Sequence, residues 1–200
     1  MDLAELLAAR RMTRSFDATA VDPQWLEERC AEALWAPTAG NSAGVRMQVI
    51  EQGHLSDFFT HATDPSWRDH ARRAPGLLRA GAGVLVTALP SLYLERYAEP
   101  DKVGSGLSAL EEWPLPYWHA DAAMATMALL LLLEEAGLAA TIWGSFRHAA
   151  AILHWAKCAD EELFATVLLG YPDGHDVPSR SLQRPVPPRR ERVTRVHPSS

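Results

Sequence analysis

The stretch from Ala122 to Leu133 constrains this chain most: twelve residues without a charge, closing on five consecutive leucines. About 18–20 such residues are needed to cross a bilayer, so the run reads as a buried helix and not a membrane anchor. With its flanks it predicts a helix over His119–Ala136, stopped by Gly137 in the place after the helix end where a left-handed residue is favoured. A helix that is apolar nearly all round has to be covered on several sides. A chain of 200 residues, 48% hydrophobic, holds enough apolar material to do so in one domain. Packing this helix against its counterpart in a second copy would do it more easily.

The rest of the chain alternates between helix and strand signals. Asp2 caps an opening helix whose Leu3, Leu6 and Leu7 share a face and which stops near Arg11. Asp22 and Pro23 start a second helix, which Pro37 ends, and Thr38–Ser42 reads as a loop. Val45, Met47 and Val49 alternate with polar residues, as in a half-exposed strand. Helical pieces are expected over His54–Thr60 and Ser66–Arg73, then a buried strand over Val84–Leu89 closed by Pro90. A mixed segment, Leu92–Pro116, with an acidic-basic helix fragment and a glycine-serine loop at Gly104-Ser105-Gly106, precedes the long helix. Beyond it come a strand at Ala139–Trp143, a helix at Arg147–Trp155 and a strand at Ala165–Leu169. Strands separated by helices around one large helix imply an α+β or α/β layered fold, not a bundle. After Gly170-Tyr171-Pro172, Pro and Arg dominate and apolar periodicity vanishes, so the tail makes no core of its own.

Composition removes several function classes. Nineteen Lys and Arg against 25 Asp and Glu give a net charge of −6, which argues against a generally basic nucleic-acid binder. Two cysteines, Cys30 and Cys158, make no disulfide framework, and a reducing cytoplasm is the expected location. The opening MDLAELLAARR lacks the basic and apolar regions of a signal peptide. No GxGxxG, P-loop, HExxH or GxSxG pattern occurs, and no two of the eight histidines have i,i+4 spacing, so no metal site is expected. Asp121 reads as an acid placed favourably at a helix N-terminus.

Three polar clusters remain: Arg10-Arg11-Met12-Thr13-Arg14-Ser15-Phe16, the loop Ala36–Ser42, and Arg189-Arg190 in the tail. Each alone is compatible with an ordinary helix end, loop or solvated tail. Their order is more informative. RRMTRSFD (10–17) followed by APTAGNSAGVRMQVI (36–50) resembles the opening of the FMN-dependent nitroreductase family. DAAMATMALLLLLEEAGLAATIWGSF (121–146) is similar to that family's long interface helix with the strand and small-residue turn after it. ATVLLGYPDG (165–174) is similar to its last core strand. The segment 96–102, with Trp113–Asp121, further resembles an actinobacterial branch of the family.

The resemblance implies an α+β, three-layer nitroreductase-like fold: a mixed, mostly antiparallel sheet of four to five strands flanked by helices. It implies a homodimer with flavin at the interface, a flavin-binding domain over 1–174, and a C-terminal extension over 175–200 packed on the partner. FMN has an anionic phosphate at one end and a ring whose pyrimidine edge gains negative charge on reduction, so cations are wanted at both ends. The resemblance places Arg10 and Arg11 at the phosphate and polyol, Met12 beside them, and Arg14 at the pyrimidine edge. Pro37, Thr38 and Ala39 approach the cofactor through backbone and Asn41 through its amide. Gly144 and Ser145 meet the ring, and Arg189 or Arg190 returns to the phosphate. Trp113, Tyr117 and Trp118 form a substrate lid, and Arg79 is a further candidate cation. Met12 stands where the family has Ser, and Ala43-Gly44-Val45 where it has Gln-Pro-Trp, so weaker retention of FMN is expected. The implied activity is ping-pong transfer of electron pairs from NAD(P)H to a nitroaromatic, quinone or related acceptor. The alternatives are a non-catalytic flavin or deazaflavin storage dimer, and an interaction module with an empty pocket.

Overall fold

A computed structural model of the protein describes residues 2–73, 75–177 and 179–196; Pro178 and the last four residues of the expected extension lie outside them. Helix α1 (Leu3–Ala9) opens on a reciprocal capping box: the Asp2 side chain accepts the Glu5 N–H and the Glu5 side chain accepts the Asp2 N–H, both at 2.9 Å. Helix α2 (Pro23–Ala33) has Asp22 accepting the Gln24 N–H at 3.0 Å, with Pro23 at its first position. It ends four residues before Pro37, because tight turns from Trp35 to Glu32 and from Ala36 to Ala33 consume the segment between.

Strand β1 (Val45–Glu51) leads into α3 (Gln52–Ala62) and α4 (Pro65–Arg73), then β2 (Ala82–Ala88). Pro90 does more than close β2: it occupies the first turn of α5 (Pro90–Tyr97), a helix inside the segment expected to be mixed. Next come α6 (Tyr117–Glu135), β3 (Ala139–Trp143), α7 (Ala149–Trp155) and β4 (Glu162–Gly170). Gly137 ends α6 with φ of 76°, and the Leu138 N–H returns to the Leu133 carbonyl at 2.9 Å.

The four strands form one sheet in the order β1-β2-β4-β3, and every neighbouring pair is antiparallel. The one parallel pairing among the described residues is an isolated bridge between Met12 and Ala140 on the outer edge of β3. All seven residues of β2 are buried, as a central strand covered on both faces requires. One face packs Val84, Val86, Val167 and Leu169 against Leu26 of α2 and Ala125, Leu129 and Leu133 of α6. The other packs Leu85 and Leu168 against Leu55 and Phe58 of α3 and Ile152 of α7. Each large side chain buried this way contributes about 1.5–3 kcal/mol. The result is an α+β fold of three layers.

Helix α6 is covered less completely than its composition led us to expect. Its sheet-facing side is buried, but Ala123 and Met124 are exposed and Met127, Ala128 and Leu131 only half-buried, at the spacing of one helix face. Among the described residues no helix is long and apolar enough to cross a membrane. From Val177 to Val196 the tail exposes its apolar side chains: Val177 is 79% exposed, Leu182 72% and Val196 88%.

Candidate flavin site

The arginine-rich segment after α1 is laid along the free edge of β3 by its backbone. Thr13 N–H donates to the Ala140 carbonyl at 3.0 Å, Phe16 bridges Pro172, and Asp17 N–H donates to the Tyr171 carbonyl at 3.0 Å. Phe16 is fully buried, so the segment is nailed to the core at one end and to the sheet edge in the middle. The arginines of this segment differ in what they touch. Arg10 is half-buried, and its Nε and Nη1 are buried without a hydrogen-bond partner. Arg11 instead turns Nη1 back onto the carbonyls of Ala8, Ala9 and Arg10, at 2.6, 2.8 and 3.0 Å, and so caps α1. Met12 packs against the core. Arg14 is exposed, with Nη1 3.1 Å from the Met12 carbonyl.

Arg14 shares a cavity of about 480 Å³ with Ser15, Gly76, Arg79, Asp173, His175 and Asp176. Arg79, which sequence marked only as a further candidate, thus meets Arg14 at one opening; its Nη2 reaches the Asp17 carbonyl at 3.4 Å. The two aspartates were not foreseen. Asp176 accepts the Arg14 backbone N–H at 2.7 Å, and Asp173 accepts the Ser15 hydroxyl at 2.7 Å.

The loop after α2 is built from the far side of the chain. Asp121, 3% exposed, accepts the Ala39 N–H and the Tyr93 hydroxyl, each at 2.8 Å. Arg96 Nε donates to the Gly40 carbonyl at 2.9 Å, while its other nitrogens hold Glu99 and Asp101; this pairing holds the Asp101 carboxyl down at about 2. Gly40 and Asn41 follow with φ of 64° and 58°, and Thr38 Oγ1 accepts the Ala43 N–H at 3.0 Å. The Asn41 side chain and Pro37 are exposed, and Thr38 lines a cavity of about 150 Å³ with Asp121 and Ala125. The Tyr93 ring explains the departure at position 44: a Cβ there would lie 2.4 Å from its Cε2, so only Gly fits.

Gly144 and Ser145 follow β3 and line a third cavity of about 300 Å³ with Trp67, Trp143, Phe146, Arg147 and His148. Ser145 is buried, its Oγ 3.5 Å from Thr166 Oγ1. Of the aromatic trio at the start of α6, Trp113 just before it and Trp118 in its first turn are buried with Tyr93 in a small satellite core. Trp113 Nε1 donates to the Leu107 carbonyl and Trp118 Nε1 to Glu162, each at 2.9 Å. Tyr117 alone is open to solvent, at 41%. Arg189 and Arg190 sit in an exposed turn, and their guanidinium groups pair with nothing among the described residues.

A single chain therefore gathers Arg14 with Arg79, and leaves the loop at 37–41, the turn at 144–145 and the tail arginines in separate regions. Sequence reasoning missed Asp121 and Tyr93 as the builders of the loop. The available signal was an acid in the second turn of an otherwise apolar helix.

Among the described residues no cluster of His, Cys, Asp or Glu could hold a metal ion. The model of the nitroreductase family matches residues 7–171. Solved structures share the fold. A nitroreductase family protein from Streptococcus pneumoniae TIGR4 superposes with a TM-score of 0.72 at 18% identity, over 98% of this chain and 100% of that one. A protein from Desulfovibrio desulfuricans, solved as a nitroreductase in complex with FMN, gives 0.66 at 20% identity over 99% of both chains. The nitroreductase CinD from Lactococcus lactis, in complex with chloramphenicol, gives 0.67 at 18% identity, over 94% of this chain and 100% of that one. None of the curated proteins matches the chain significantly. The chain belongs to the nitroreductase family, a family of flavin-dependent oxidoreductases.

Proposed function

We propose that this protein binds FMN and moves electron pairs from NADH or NADPH to a nitroaromatic, quinone or related acceptor in ping-pong order. The observation that carries this reading is Arg10: a guanidinium with two buried nitrogens and no partner is costly unless an anion completes it. A phosphate fits that geometry. FMN, when bound, supplies the hydride chemistry.

This chain's residues would hold and orient the cofactor. Arg10 binds the phosphate; Arg11, already engaged with α1, contributes mainly by fixing the segment. Arg14 and Arg79 face the pyrimidine edge, and Gly144 and Ser145 offer backbone to the ring. Pro37, Thr38, Ala39 and Asn41 would come from the partner subunit, since one chain keeps them apart from Arg14. The uncovered face of α6 supplies the dimer contact. Residues 1–174 form the flavin-binding domain, and the extension at 175–200 lies on the partner, bringing Arg189 or Arg190 to the phosphate. Tyr117 is the one lid aromatic with a surface to offer an acceptor. A cytoplasmic location goes with this reading: Cys30 and Cys158 are both buried free thiols.

The purified protein should show the visible absorption of bound flavin, alone or after FMN is added, and NADH or NADPH should bleach it without oxygen. Absence of bleaching would leave a flavin-binding protein that is no enzyme. Arg10→Ala removes charge-assisted hydrogen bonds worth about 1.5–3 kcal/mol. FMN affinity should therefore fall about 10- to 150-fold. Unchanged affinity by fluorescence titration would remove Arg10 from the phosphate site.

A further inference from the structure

The cavity at Arg14 and Arg79 is not simply cationic. The turn Asp173-Gly174-His175-Asp176 brings two carboxylates into it, and Gly174, at φ of 77°, lets the chain reverse tightly enough for both to arrive. The Asp173 side chain is only 8% exposed and lies 3.7 Å from Arg79 Nη1. Its oxygens also accept the Ser15 hydroxyl and the His175 N–H, at 2.7 and 2.8 Å. The Ser15 bond and then the His175 bond hold this carboxyl below the usual range, so it carries its charge at neutral pH. Asp176 is fixed to the Arg14 N–H across 162 positions of sequence. Two guanidinium charges therefore face two carboxylates around one opening.

We propose that Asp173 and Asp176 set the potential of the bound cofactor, opposing Arg14 and Arg79 so that reduced FMN is stabilised less than two unopposed arginines would stabilise it. This rests on the function proposed above. The added electron pair places negative charge at the pyrimidine edge, where nearby arginines favour the reduced form and nearby carboxylates disfavour it. The balance makes the reduced cofactor a stronger donor and suits acceptors of low potential. Neither aspartate need touch the ring; both act through the charge they place beside the two arginines.

The test uses the full chain loaded with FMN, its midpoint potential measured anaerobically against a reference dye. Asp176→Asn removes the charge and keeps the one acceptor oxygen that the Arg14 N–H uses; Asp173→Asn removes the charge and keeps one of the two acceptors that Ser15 and His175 use. Each is expected to raise the preference for reduced over oxidised FMN about tenfold, a rise of about 30 mV for a two-electron couple. The double variant should exceed either, and Asp173→Glu should restore the wild-type value. Asp160→Asn, an exposed carboxylate before the opposite end of β4, controls for overall charge and should shift the potential by less than a third as much. Potentials in both Asn variants no different from Asp160→Asn, or lower than wild type, would overturn the inference. Should Asp173→Asn not fold, Asp176→Asn decides alone, since its side chain accepts a single backbone N–H. If FMN binds and NAD(P)H bleaches it but neither variant moves the potential, only this inference falls. If the chain takes up no FMN, the proposed function falls with it.

Discussion

Asp121 and Tyr93 show how two side chains fix a loop that neither belongs to. The Tyr93 ring is fully buried and its hydroxyl meets the carboxyl that also accepts the Ala39 N–H. Burial first, and the bond to Asp121 second, push the Tyr93 phenol well above its ordinary range. A group whose folded value is raised contributes stability that is fully present below its unfolded value, about 10, and lost as pH rises above it. Tyr93→Phe should cost about 1.5–3 kcal/mol near neutral pH, for one hydrogen bond to a charged partner. The gap between wild type and variant should stay level up to about pH 10 and then narrow. Urea unfolding of both proteins at several pH values measures it, and a gap that widens in alkali would contradict the role given to Tyr93. Cys30 adds a smaller lesson of the same kind: burial pushes its thiol up to about 12, so it packs as an apolar side chain in α2.

The helices and strands were legible where the pattern was local. The apolar run predicted α6, alternation predicted β1, and the Asp22-Pro23 pair predicted the start of α2. The start of helix α5 was not legible, because Pro90 stops a strand and starts a helix with the same fixed φ, and only the residues after it tell the two apart. In the candidate site, Arg10 and Arg14 were readable because they lie in one short run. The bonds from Asp121 to Tyr93 and Ala39 join residues 28 and 82 positions apart, and no local spacing encodes them. The same limit applies to the open face of α6. Composition showed that the helix needed cover; only packing shows which face the chain itself leaves open. Met124 stands in the middle of that face, 43% exposed. Met124→Glu would bury a charge at a helix-to-helix contact, which association cannot tolerate unpaired. Because Met124 is outside the chain's own core, the variant should stay folded, and the dimer proposed on this face should dissociate. Light scattering together with circular dichroism reads both quantities, and a dimer that persists would place the interface elsewhere.

At the scale of the whole molecule, the tail is the part whose geometry the single chain does not explain. Its valines and Leu182 lie exposed, and the guanidinium groups of Arg189 and Arg190 pair with nothing among the described residues. Ordering such a segment costs about 1–2 kcal/mol for each residue's backbone, which exposed side chains cannot offset. The second subunit and anionic cofactor proposed above would supply the compensation, as apolar contact and as charge. Ending the chain after Pro188 tests this directly. Residues 189–196 are exposed throughout and contribute nothing to either core layer. The thermal midpoint of the flavin-free protein should therefore change little. FMN affinity should fall at least tenfold, because the tail arginine proposed to reach the phosphate, Arg189 or Arg190, is removed. That combination separates loss of a ligand contact from loss of fold. FMN held as tightly by the shortened chain as by the full one would show that neither Arg189 nor Arg190 reaches the phosphate, leaving Arg10 to neutralise it alone.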